Sequence, residues 1–247
     1  MTKRVVILGA LSAVAVAVAR RYAAGGASLA LAARRSDELE VLAADLRARG
    51  AVLVNTFALD LAQTPDPAAG LDQMTTALGG VDVVVLAYGA LTDQDRALTD
   101  LAYVREQIDV NFTSAALWSL AAAAKLEAQD SGALVVIGSV AGDRGRQSNF
   151  VYGAAKAGLA TLVQGIAHRL AAGKARAVIV KPGFIDTPMT AHLPKGGPLW
   201  AKPEAIAAVI VKAADGGGPV VYGPWFWRFI LLIIRLVPAP IFHKTRL

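Results

Sequence analysis

The chain predicts a single α/β domain of the doubly wound, Rossmann type, with one parallel sheet covered by helices on both faces. Three observations carry this. Short apolar runs alternate with helical segments, most runs stop at glycine, proline or a polar cluster, and no compositional break divides the 247 residues. At 55% hydrophobic and 18% charged, with 23 glycines, the chain can bury a large core and is not a disordered one.

Residues 5–8 are continuously apolar, mostly β-branched, and stop at Gly9, giving a first strand. Residues 12–24 have helical periodicity, with Arg20 and Arg21 near the end and Gly25-Gly26 terminating them. A second strand covers 28–32, and a charged helix capped by Ser36 or Asp37 covers 37–49. A third strand at 51–57 precedes a loop at 63–70 containing Pro65 and Pro67, then a weaker helix at 71–78. The fourth strand is 81–86. Helical sequence free of proline runs over 101–126, followed by strand five at 134–137, a helix at 152–171 and strand six at 175–180. A helix at 203–212, with Pro203 in its first turn, and a strand at 220–222 complete the alternation.

In such sheets ligands bind beyond the carboxyl ends of the strands. The informative polar clusters fall there: Gly9 to Ser12, Arg34-Arg35, Asp60, Ala87 to Gly89, Ser139, and Pro182 to Thr187. The absence of cysteine excludes disulfides and thiolate chemistry, and His168, His192 and His243 lack the spacing of a metal site. Of the net charge of +6, Arg228, Arg235, Lys244 and Arg246 lie in a tail without acidic residues, so no nucleic-acid partner is expected. Lys3, Arg4 and the apolar run after them mimic a signal peptide. The turn signal at 9–12 makes that run a buried strand and helix instead, and the expected location is cytoplasmic.

Ser139 ends strand five, and Tyr152 precedes Lys156 by four residues, which places both on one helix face. A phenol has a reference pKa of about 10, so an adjacent ammonium favours its ionised form. The set can polarise a carbonyl and move a proton to its oxygen.

This pattern resembles the classical short-chain dehydrogenase/reductase family over nearly the whole chain. The family tetrad matches Asn111, Ser139, Tyr152 and Lys156, and its proline-glycine motif matches Pro182-Gly183. The resemblance implies an enzyme that uses NAD(P)(H) to interconvert a ketone and a secondary alcohol. Tyr152 would donate a proton, Lys156 lower its pKa and hold the nicotinamide ribose, Ser139 bind the carbonyl oxygen, and Asn111 hold a water. It further implies cofactor contacts from Gly9, Leu11, Ser12, Ala13, Val14, Arg34, Arg35, Leu59, Asp60, Ala87, Tyr88 and Gly89. Others come from Tyr152, Lys156, Pro182, Gly183, Ile185 and Thr187. The family's second and third loop glycines are replaced by Ala13 and Ala15, which leaves open a non-catalytic binding protein of the same fold. Arg34-Arg35, with no acid before Asp37, favours NADP(H) over NAD(H).

The stretches 140–146, 148–153 and 224–229 resemble, within that family, the decaprenylphosphoryl-2-keto-β-D-erythro-pentose reductases. That resemblance implies the 2-keto sugar of a polyprenyl-phosphate lipid as substrate. A soluble reductase or dehydrogenase of a steroid, acyl or small secondary alcohol is the alternative. Substrate candidates are Asp143, Arg144, Arg146, Gln147, Phe150, Phe184, Met189 and His192, with 192–200 as a lid. The tail at 224–247, aromatic, aliphatic and basic, fits peripheral contact with the inner face of the plasma membrane, a cover over the substrate pocket, or a contact in a homodimer or homotetramer.

Overall fold

The computed structural model describes residues 2–245. In chain order the first half comprises β1 (Arg4–Leu8), α1 (Ala13–Ala24), β2 (Ser28–Ala33), α2 (Ser36–Ala48), β3 (Leu53–Ala58), α3 (Pro67–Ala77), β4 (Val83–Leu86), α4 (Gln94–Ala97), α5 (Leu101–Ile108) and α6 (Ser114–Ala128). The second half comprises β5 (Ala133–Ile137), α7 (Phe150–Leu170), β6 (Arg176–Pro182), β7 (Phe184–Ile185), β8 (Trp200–Ala201), α8 (Pro203–Asp215), β9 (Val220–Gly223), α9 (Trp227–Leu236) and α10 (Ala239–Phe242). Seven strands form one parallel sheet in the order β3-β2-β1-β4-β5-β6-β9, and β7 pairs with β8 in a small parallel ribbon.

Alternation of side chains along each strand feeds two apolar layers. Val5, Ile7, Leu29, Leu31 and Val135 pack with Leu39 of α2 and Ile206 of α8 on one face. Val6, Leu8, Val84, Leu134 and Val136 pack with Met74, Trp118 and Leu159 of α3, α6 and α7 on the other. The strand order reverses between β1 and β4, and the crevice at that switch point is where the carboxyl ends of both strands diverge.

Three elements depart from the sequence reading. Helix α2 starts at Ser36 with Arg35 at its cap position, so neither Ser36 nor Asp37 caps it. Helix α3 starts at Pro67, where a loop was expected, because proline suits a first helical turn and the Asp66 side chain accepts the Ala69 N–H (3.0 Å). The helical stretch expected from 101 to 126 is interrupted by a wide π turn, Asp109–Thr113. Its cause is local: Asn111 Nδ2 donates to Gln107 O (3.0 Å), the carbonyl that an α-helix reserves for the Asn111 backbone. Such turns are frequent at functional sites.

Candidate active site

The crevice beyond β1, β2 and β4 is a cleft of about 480 Å³. Gly9, Leu11, Ser12, Arg34, Arg35, Leu59, Asp60, Tyr88 and Gly89 line it, as the sequence predicts. Gly9 has φ +84°, and a Cβ there would meet Tyr88 Cβ at 2.6 Å, so the first loop glycine is needed for the close approach of the two strand ends. Ser12 caps α1, its hydroxyl accepting the Ala15 N–H (3.2 Å), and thereby points the helix N-terminus at the cleft, where a pyrophosphate can bind.

The alanines at the two missing glycine positions have different surroundings. Ala15 is fully buried in the core, its methyl group accommodated by packing. Ala13 begins α1 beside the cleft and does not line it. Val14 and Ala87, also expected at the cofactor, are buried in the core layer behind the cleft. Tyr88 presents its flank to the cleft and turns its hydroxyl to Ser114 Oγ of α6 (3.0 Å). The sequence reading missed Ala33, Leu61, Ala62, Gln63, Ala90, Glu106, Gln107 and Val110, which complete the lining. The only signal for them was proximity to Arg34, Asp60, Gly89 and Asn111. The cradle at Gly9, the aimed helix and the size of the cleft fit a dinucleotide.

The reaction centre is built where β5 meets α7. Tyr152 and Lys156 lie one turn apart on α7, with the Lys156 ammonium 5.7 Å from the Tyr152 ring centre. Ser139 follows β5 and caps the short turn Val140–Asp143, its hydroxyl oxygen accepting the Ala141 N–H (3.1 Å) and its own hydrogen left to donate. Asn111 is buried, accepting the Ala90 N–H at Oδ1 (3.0 Å). Gly89, at φ +155°, sits over both partners: a Cβ there would be 2.8 Å from Asn111 Oδ1 and 3.2 Å from Lys156 Nζ. The tetrad and the end of β4 therefore form one assembly.

Burial sets the charge states. The Tyr152 phenol is pushed above its ordinary value by burial, and the neighbouring Ser139 hydroxyl acts in the opposite sense. It is protonated at neutral pH and ready to donate. Lys156, expected from the sequence to favour the ionised phenol, stands over the same ring. Lys156, only 3% exposed, is pulled down to about 8 by loss of solvent.

Pro182 ends β6 and Gly183, Ile185 and Thr187 follow it, the Thr187 backbone N–H donating to Thr190 Oγ1 (3.2 Å). Against Gly183 lies the indole of Trp227, from α9: a Cβ on Gly183 would fall 1.9 Å from its Cε2 and Nε1. Trp227 also packs on Val140, next to Ser139, and meets Phe184 edge-on, while Phe184 stacks on Trp200 (5.3 Å between ring centres). An aromatic wall thus stands beside the reaction centre, and the tail contributes its core member.

The structure corrects the substrate candidates around this wall. Asp143 is buried in an ion pair with Lys181 and accepts the Tyr222 hydroxyl (2.7 Å), so both its oxygens are engaged inside the chain. Arg144 donates to the carbonyls of Ile234, Arg235 and Val237 (2.7 Å for the last) and stacks on Phe242, which makes it the cap of α9. Gln147 donates to Thr245 O (3.3 Å). Arg146 is half-buried and has no ion-pair partner among the described residues. Phe150, Phe184 and Met189 expose apolar surface, and His192 is exposed in the loop after Thr190.

Residues 3–197 match the family model described as short chain dehydrogenase. An uncharacterized oxidoreductase of Mycobacterium tuberculosis is 37% identical over 240 residues, 97% of this chain and 96% of that one. The cis-4-hydroxycyclohexanecarboxylate dehydrogenase of Sinomonas cyclohexanicum is 32% identical over 233 residues, 88% of this chain and 91% of its own. The crystal structure of a 3-oxoacyl-[acyl-carrier protein] reductase from Brucella melitensis in complex with NAD superimposes with a TM-score of 0.82, at 25% identity, over 93% of this chain and 98% of that one. The chain belongs to the short-chain dehydrogenase family and is an oxidoreductase acting with NAD(P)(H) on CH–OH and C=O groups.

Proposed function

We propose that the protein interconverts an alicyclic ketone and its secondary alcohol, using NADP(H) in preference to NAD(H). The observation that carries this is the wall of Phe184, Trp200 and Trp227, which packs on Val140 next to Ser139. Aromatic faces bury a saturated ring well and offer no charge to a sugar phosphate. A relative named for a hydroxycyclohexane carboxylate supports the same class. The unengaged Arg146 guanidinium is the partner we assign to a carboxylate on such a ring. The polyprenyl-phosphate sugar is not the reading we adopt, because Arg144, one of its two candidate phosphate ligands, is spent on α9.

In this reading Ser139 donates to the ketone oxygen and Tyr152 passes its proton to the developing alkoxide, a group positioned for charge that appears only in the transition state. Lys156 holds the ribose, and Gly89 and Asn111 fix its position. The bound cofactor supplies the hydride. Reduction of 4-oxocyclohexanecarboxylate and of cyclohexanone, followed by loss of NADPH absorbance, tests the assignment. Turnover of both, with the carboxylate favoured, is expected; activity with a 3-oxoacyl thioester and with neither ring overturns it.

Cofactor preference rests on Arg34. It directly follows β2 at the cleft, exposed and without an ion-pair partner among the described residues, whereas Arg35 is paired with Glu38. Arg34→Ser is expected to weaken NADPH binding about tenfold, the worth of one exposed charge-assisted contact, and to leave NADH binding unchanged. Fluorescence titration with the two reduced cofactors reads both constants, and equal weakening of the two removes the preference.

A further inference from the structure

Helix α9 is apolar on two opposite faces. Trp227 and Leu231 are buried against the chain, with Ile230 and Ile234 half-buried beside them. Phe229, Leu232, Ile233 and Leu236 recur at helical spacing on the far side and are exposed, Ile233 by 66% and Leu236 by 73%. Trp225 before the helix and Ile241 after it extend the same exposed surface. Arg228 and Arg235, seven residues apart, share one flank between the two apolar faces, and both are exposed. Arg246 lies outside the described residues.

We infer that this outer face docks on an anionic lipid surface. Ten residues of helix span about 15 Å, half of what crossing a bilayer requires, so α9 lies in the plane of the surface. In that pose the far face enters the acyl boundary while Arg228 and Arg235 stand at headgroup level, where they meet lipid phosphates, and Trp225 sits at the interface. Charge decides against a second copy as occupant. Residues 224–247 contain no Asp or Glu, so twofold pairing through this face would set arginine against arginine with no acid in the tail to relieve it. Arg144 makes the docking consequential, since its bonds to the end of α9 join that helix to the loop carrying Ser139. One helix diameter, about 10 Å, then separates lipid from Gly183.

The test uses the full chain and two vesicle compositions in three conditions: phosphatidylcholine alone, and phosphatidylcholine mixed with phosphatidylglycerol at low and at high salt. Co-sedimentation with the anionic vesicles, weakened by salt and by Arg228→Glu with Arg235→Glu, is expected. Ile233→Ser with Leu236→Ser is expected to weaken partition about tenfold or more, with soluble-ketone turnover and melting temperature unchanged in the absence of vesicles. Failure of the wild-type chain to bind anionic vesicles, or binding by the serine variant at wild-type strength, overturns the inference. So does an oligomer, seen by analytical ultracentrifugation, that the serine variant breaks while neither form binds vesicles; that result assigns the face to a second copy.

Discussion

Tyr152→Phe is expected to lower turnover about 100- to 10,000-fold, the range associated with a positioned general acid, and to leave NADPH affinity and melting temperature near wild type. The substitution removes one oxygen from a side chain whose ring stays in place on α7. What is lost is the proton that burial keeps on the phenol at neutral pH. Steady-state kinetics with a cyclic ketone, a fluorescence titration with NADPH and a thermal melt separate the effects. Retention of turnover within about tenfold of wild type would show that another group carries the proton.

Lys156→Met is expected to raise stability at neutral pH while also abolishing turnover. Burial lowers the lysine from 10.5 to about 8 in the folded chain. Between those values the unfolded chain holds a proton that the folded chain has released, so stability rises with pH across this window and is lowest below it. The gap corresponds to about 3 kcal/mol of destabilisation at pH 7. Methionine has nearly the same volume and no charge to desolvate, so the cofactor-free variant gains roughly that amount at neutral pH and loses the rise toward pH 10. Melts of both proteins at about pH 7 and pH 10 check this. A variant less stable than wild type at pH 7 would mean that the contact of Lys156 with Ile137 O, at 3.5 Å, outweighs desolvation. An active site that stores instability in its own lysine illustrates the trade of stability for function.

The sheet, its strand ends and the pair on α7 were legible because each depends on residues close in sequence. Val5 to Leu8 read as a buried strand from its own side chains, and Tyr152 and Lys156 share a face by helix geometry alone. The π turn was not legible, since Asp109 to Thr113 contains neither glycine nor proline and the break comes from one side-chain hydrogen bond. Arg144 looked like a ligand for substrate because its partners lie 90 or more positions away, in carbonyls that no side-chain pattern announces. Trp227 was visible as part of an aromatic tail. Its seat on Gly183 was not, because a glycine records only that something comes close, and leaves unstated what that is.

The buried pair of Lys181 and Asp143, with the half-buried Tyr222 bonded to it, has a mechanical meaning. Asp143 ends the turn that begins after Ser139, Lys181 immediately precedes Pro182-Gly183, and Tyr222 belongs to the last strand before the tail. Separating Lys181 from Asp143 would strand a charge out of water, at a cost of several kcal/mol. The three act as a rivet through both jaws of the reaction centre. The segment between Phe184 and Ala201 lies outside this rivet, held by a ribbon of only two residues a side.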